Sequence, residues 1–218
     1  VSVESAVVSF RTPDQVVEDE PWESTGSATL AAVTPWRTFR WYKGQKHYSG
    51  TYWSSTMRDH VIYESRLELA RLLFDDFAPS VRRIQAQPFL LKADVEGKIR
   101  RHIPDYLLIT GDGPVVVDVK PMHRVTKREV AFTFAWTRRV VEARGWQYVV
   151  WSEPPPAELE NVRFLAGYRR DWLFEGERHP EREREELRSA ALHLLWAGEV
   201  VTDLSTPISS RHVLKVPQ

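Results

Sequence analysis

The stretch from Ile103-Pro104-Asp105 to Asp118-Val119-Lys120 constrains this chain more than any other part of it. Two β-rich runs, Ile103 to Ile109 and Pro114 to Lys120, flank the short segment Thr110-Gly111-Asp112-Gly113. That is the pattern of a tight hairpin. Paired positions in a symmetric hairpin sum to a constant, so Asp105 is expected opposite Asp118, with Cβ atoms roughly 4.5–5.5 Å apart. Two carboxylates at that spacing repel unless a positive charge lies between them, and hard cations such as Mg²⁺ favour carboxylate oxygen. Lys120 stands two residues past Asp118 and therefore on the same strand face. The neighbours Val115-Val116-Val117 and Val119 are apolar, as in a strand covered on both sides. An uncompensated charge inside such a strand is costly.

Composition narrows the chemistry. Cysteine is absent, which excludes disulfides, Cys-ligated zinc and iron–sulfur clusters. Thirty basic side chains balance thirty acidic ones, so the chain is no simple polycation that coats nucleic acid. No run is long enough to span a bilayer and no secretory signal pattern opens the sequence, so a cytoplasmic protein without a membrane partner is expected. Charge is unevenly spread. Residues 1–24 are acidic, whereas Arg37, Arg40, Lys43, Lys46 and Arg58 interleave with Trp36, Phe39, Trp41, Tyr42, Tyr48, Tyr52 and Trp53. Such mixtures suit phosphate contact with base stacking, and they equally suit a strand pair whose aromatic face packs on a core.

Periodicity and breakers divide the chain into three parts. Residues 1–34 read as a loosely ordered acidic segment, with Pro13, Pro21 and Gly26 and little periodicity. Residues 35–168 read as one α/β domain. It has a helix over Val61 to Phe77, a strand over Val81 to Leu91, the hairpin, a second helix from about Thr126 to Ala143, and a strand over Trp146 to Trp151. The order is α-β-β-β-α-β, and the last crossover is expected to join parallel strands. Pro154-Pro155-Pro156 looks like a linker, and residues 169–218 read as a small helical, winged-helix-like or partner-binding appendage. Within it, Leu187 to Trp196 is amphipathic, with Leu192, Leu195 and Trp196 as a stripe for a partner or for packing on the main domain.

Glu68 lies on the first predicted helix among Leu67, Leu69 and Leu72. It is either a rim residue paired with Arg71 or a third carboxylate delivered to the hairpin. With Pro-Asp on one strand and Asp-x-Lys on the next, the arrangement resembles the PD-(D/E)xK nuclease superfamily. The runs Ser65-Arg66-Leu67-Glu68-Leu69-Ala70 and Ser80 to Phe89, with Pro35-Trp36-x-Thr38 and Trp146 to Ser152, resemble the TnsA-like endonuclease subunits of heteromeric cut-and-paste transposases.

That resemblance implies a restriction-endonuclease-like mixed sheet flanked by helices. It implies a DNA endonuclease that cuts transposon 5′ ends using Mg²⁺, with Mn²⁺ as a substitute. Glu68, Asp105 and Asp118 would converge on one point as metal ligands, with the Val119 carbonyl beside them and Lys120 as the catalytic lysine. Some members of the family carry glutamine where this chain has Asp118. Arg37, Arg40, Lys43, Lys46, Arg58, Lys127 and Arg128 would contact double-stranded DNA. A recombinase-type partner and an ATPase regulator would complete the machinery. The rival readings are a stand-alone restriction or repair nuclease and a catalytically silent DNA-binding assembly subunit.

Overall fold

The structure, a computed structural model, describes residues 5–37, 48–170 and 183–217. In chain order its strands and helices are β1 (Val7–Arg11), β2 (Val16–Pro21), α1 (Ser27–Leu30), β3 (Gly50–Ser54), β4 (Asp59–Tyr63), α2 (Arg66–Phe77), β5 (Val81–Ala86), β6 (Leu90–Val95), β7 (Lys98–His102), β8 (Tyr106–Thr110), β9 (Gly113–Val119), α3 (Met122–Val125), α4 (Arg128–Ala143), β10 (Gln147–Trp151), α5 (Pro156–Leu165) and α6 (Glu183–Trp196). They form a mixed α/β protein that divides into two compact units, Val1–Arg71 with Ser80–Glu153, and Leu72–Pro79 with Pro154–Gln218.

The first unit holds three sheets, ordered β10-β9-β8-β5, β2-β1-β6-β7 and β3-β4. The expected hairpin is β8–β9, antiparallel and joined through Gly111-Asp112. The expected parallel pair is β9–β10, with α4 as the crossover between them. One core serves both four-stranded sheets: Val8, Phe10, Leu91, Ala93 and Val95 from one, Leu107, Val116 and Tyr148 from the other, and Phe134, Trp136, Val140 and Val141 from α4.

Several expectations are revised. The acidic N-terminal segment is not loosely ordered: it contributes β1 and β2, and β1 pairs with β6 through Val7, Val8 and Ser9. The exposed, charged β2 hid this, because an edge strand shows no apolar alternation. Trp22 anchors the segment. It is fully buried, donates its indole N–H to the Val140 carbonyl at 3.1 Å, and packs its ring against Phe89 and Trp146. The Arg144 guanidinium lies 4.4 Å from the Trp22 ring and 4.0 Å from the Trp146 ring, and donates to the Thr25 carbonyl at 2.8 Å.

The first helix begins at Arg66 because Val61 and Tyr63 belong to strand β4, where both are buried. The single strand over Val81 to Leu91 is two strands, β5 and β6, in different sheets, separated at Gln87 (φ 44°) and Pro88. Strand β7 was not foreseen, since Lys98 to Arg101 are all exposed. The plain α-β-β-β-α-β order therefore gains an inserted β6–β7 hairpin.

The unit boundary falls at Pro154, ahead of the expected position 168, because α5 starts at Pro156, where a proline is accommodated at a helix start. In the second unit the Leu192, Leu195 and Trp196 stripe of α6 is buried, with Trp196 against Phe77 at 5.3 Å. That stripe is used internally and offers no partner surface. Gly198 (φ 74°) closes α6 where a Cβ would lie 2.5 Å from Pro79 Cγ. The expected wing is represented only by an isolated Val201–Lys215 bridge among the described residues. Buried Asn161 ties down this tail, donating to the carbonyls of Leu204 and Thr206 at 2.8 and 2.7 Å and accepting from the Ile208 N–H at 3.0 Å.

Among the described residues, no helix is long and apolar enough to cross a membrane. Replacing Trp22 with alanine should lower unfolding stability by about 3–5 kcal/mol, as truncation of a fully buried large aromatic does. A urea midpoint unchanged from that of the unaltered chain would show that β1 and β2 contribute nothing to the core.

Candidate active site

The geometry begins with the β8–β9 register. Thr110 faces Gly113 and Tyr106 faces Val117, so the same register carried one step further brings Asp105 to Asp118. Asp105 stands just before β8, and its Oδ2 accepts the Val119 N–H at 2.6 Å, which fixes the carboxylate against the middle residue of the Asp-Val-Lys motif. Strand β10 secures the end of β9 from the other side. Lys120 donates its backbone N–H to the Trp151 carbonyl at 2.9 Å, and its carbonyl accepts the Ser152 hydroxyl at 2.8 Å.

Charge is concentrated here. Burial first, then the nearby charges of Asp118 and Glu68, hold the Asp105 carboxyl well above its ordinary proton affinity; the Lys120 charge acts in the opposite direction. Glu68 is also raised, mainly by burial and further by the charge of Glu64, with Lys120 again opposing. Asp105, Glu68 and Lys120 thus share one electrostatic environment. Lys120 is half-buried, and its ammonium makes no hydrogen bond or ion pair among the described residues.

All three acids accept protein donors, and in Glu68 and Asp118 both carboxylate oxygens are engaged. Ser65 and Glu68 form a capping box at the start of α2: Ser65 Oγ accepts the Glu68 N–H at 3.1 Å and donates to Glu68 Oε1 at 2.8 Å. Glu68 Oε2 accepts the Glu64 N–H at 2.7 Å. Asp118, only 2% exposed, accepts from His102 Nε2 at 2.9 Å (Oδ1) and 2.8 Å (Oδ2), and from the Tyr148 hydroxyl at Oδ2. Burial and the Asp118 charge push the Tyr148 phenol far above its ordinary range, so it stays a neutral donor.

The expected convergence of Glu68, Asp105 and Asp118 on one point is therefore not met. Among the described residues, no three such side chains are gathered around a single position. The physical reason is visible in the hydrogen bonds: Glu68 turns back onto its own helix end, and Asp118 turns toward His102 and Tyr148. The donor chemistry nevertheless fits a hard divalent cation. The oxygens are carboxylate, and Asp105 is burdened by two neighbouring negative charges, an imbalance that a cation relieves.

The residues expected to meet DNA are dispersed in sequence and accessible where described. Arg37, Arg58, Lys127 and Arg128 are exposed; Arg40, Lys43 and Lys46 lie outside the described residues. Lys127 caps α4 and Arg128 opens it, at the helix end where the dipole disfavours cations. Of the interleaved aromatics, Tyr52 is buried and belongs to the packing.

Residues 78–153 match the family described as TnsA-like endonuclease N terminal. Over that segment, about a third of its length, the chain is similar to this family. The segment contains Asp105, Asp118, Val119 and Lys120 together with β5 to β10, whereas Glu68 precedes it. No curated protein matches the chain.

Sequence reasoning missed three residues that shape this TnsA-like segment and its surroundings. Ser65 was legible, since Ser-x-x-Glu ahead of an apolar helix is the capping-box signature. Tyr148 was legible in part: it pairs with Val116, which places it on the same sheet face as Asp118, diagonally across β9–β10. His102 had no signal, because it ends a strand of the other four-stranded sheet.

Asp105 yields a stability prediction whose sign follows from its raised proton affinity. The folded state binds this proton more tightly than the unfolded chain does. Asp105 therefore imposes no penalty below the ordinary carboxylate pKa of about 3.9, and a growing one as pH rises from there through its raised folded value. Asp105→Asn keeps an acceptor for the Val119 N–H and removes the charge. Its Tm should match that of the unaltered protein near pH 4 and exceed it at pH 7 by about 2–4 °C for each kcal/mol relieved. Equal Tm at both pH values would mean that Asp105 feels no unbalanced charge.

Proposed function

We propose that this chain is a metal-dependent DNA endonuclease, the TnsA-like subunit that cuts transposon 5′ ends while a recombinase-type partner acts at the 3′ ends. The observation that carries the reading is the burdened Asp105, bound to the Val119 N–H of the Asp-Val-Lys motif and raised by the charges of Asp118 and Glu68 with that of Lys120 opposing, inside a segment that matches the TnsA-like endonuclease family. The sheet order β10-β9-β8-β5, with α2 before it and α4 as its parallel crossover, supports a restriction-endonuclease-like core.

Asp105, Asp118 and the Val119 carbonyl would hold Mg²⁺, with Glu68 joining once it leaves its capping box. A bound Mg²⁺ would lower the pKa of an attacking water and offset charge on the leaving oxygen. The Asp105 carboxylate is kept oriented by the Val119 N–H. Lys120, its backbone held by bonds to Trp151 and Ser152, would use its ammonium to stabilise negative charge developing on the phosphorane-like centre. Lys127 and Arg128 stand where their charge opposes the helix dipole, which favours a role in contacting phosphate over one in stabilising α4. Arg37 and Arg58, with Arg40, Lys43 and Lys46, would extend that contact along the duplex.

Cleavage of a labelled transposon-end duplex with Mg²⁺, the partner recombinase present, tests the reading. Lys120→Ala should slow cutting by about 10²-fold or more, the cost of removing one transition-state charge donor. Asp118→Asn should abolish it. Unchanged rates would defeat the assignment, and vigorous cutting by the isolated chain would favour a stand-alone nuclease. Lys127→Ala with Arg128→Ala should flatten the slope of log affinity against log salt by roughly 0.9 per lost phosphate contact. An unaltered slope in a filter-binding titration would remove those residues from the interface.

A further inference from the structure

We infer that His102 and Tyr148 are positioning residues for Asp118, which orient its carboxylate and leave Oδ1 as the oxygen offered to a divalent cation. The inference rests on the nuclease reading above. It also goes beyond it, because it assigns a role to two side chains that touch neither substrate nor the reacting atoms.

Three observations support it. First, the donors are unequal on the two oxygens. Tyr148 donates only to Oδ2, while the single Nε2–H of His102 is shared between Oδ1 and Oδ2. Each carboxylate oxygen has two lone pairs. Oδ2 therefore has both occupied, and Oδ1 keeps one unused. Second, both donors are themselves held. The His102 ring meets Phe134 and Trp136 edge-on, each at 6.3 Å, and Tyr148 lies under the Arg138 guanidinium at 5.0 Å while its carbonyl accepts from Arg138 at 3.0 Å. Third, the donors come from separate sheets: Tyr148 from β10 beside Asp118, and His102 from the end of β7. Fixing one carboxylate from two sheets restrains its rotation about the strand more than a neighbour on β9 could. Partners that orient a ligand typically account for 10- to 100-fold in metal affinity.

The competing role is purely structural: two donors that satisfy a buried carboxylate and do nothing for metal. The two roles separate experimentally. Mn²⁺ binding to the full chain is measured by calorimetry, with Tm recorded for every variant. Tyr148→Phe removes one hydroxyl and keeps the ring. It should weaken Mn²⁺ binding by about 10- to 100-fold while the protein still folds. His102→Ala should weaken it similarly, and His102→Gln, which returns a donor near the Nε2 position, should restore most of the loss. If Tyr148→Phe does not fold, the His102 pair decides alone.

Folded variants that bind Mn²⁺ as tightly as the unaltered chain would overturn the inference, and so would equal weakening by His102→Gln and His102→Ala. Those outcomes leave the nuclease reading standing. An unaltered chain that binds no Mn²⁺, indistinguishable from Asp118→Asn, would overturn both.

Discussion

The pairing of β8 with β9 is the constraint on which the candidate site depends. Their turn contains only Gly111 and Asp112, and it is tightened by Thr110 Oγ1, which donates to the Gly113 carbonyl at 2.8 Å and accepts the Asp112 N–H at 3.2 Å. Gly113, at φ 111°, adopts a conformation closed to most side chains. A slip of one residue would send Asp118 to the opposite sheet face and exchange it with a valine. The buried valines on both sides of β9 make such a slip costly, so the apolar pattern that covers the strand also holds its one carboxylate in place.

The site carries a tension between stability and chemistry. Asp105 is raised because burial and two other carboxylates surround it, a cost that folding must absorb. The fold limits that cost by giving protein donors to the other two acids. Glu68 is turned into a helix cap, and Asp118 is received by a histidine and a tyrosine. Both arrangements satisfy negative charge in the absence of a cation.

The N-terminal strands and the second unit show packing overriding local composition. An acidic, proline-containing stretch folds because Trp22 supplies one large buried ring and Arg144 closes over it. In the second unit, a single buried Asn161 meets three backbone groups of an otherwise irregular tail. Side-chain amides can do this because they carry donors and an acceptor together.

The sequence by itself determined the hairpin, its register, the parallel strand after α4, and the placing of Asp105 across from Asp118. Each of these rests on short-range signals: period-two alternation, turn residues between the strands, and a charge placed inside an apolar run. Tertiary structure alone decided that β1 and β2 join β6, that β6 and β7 leave the hairpin's sheet, and that His102 reaches Asp118. Exposed edge strands such as β2 and β7 carry no alternation to read, and contacts between sheets leave no periodic trace along the chain. The disposition of Glu68 shows both limits together. Its capping box was legible in Ser65-x-x-Glu68, but whether its carboxylate faces the helix end or the hairpin depends on packing in three dimensions.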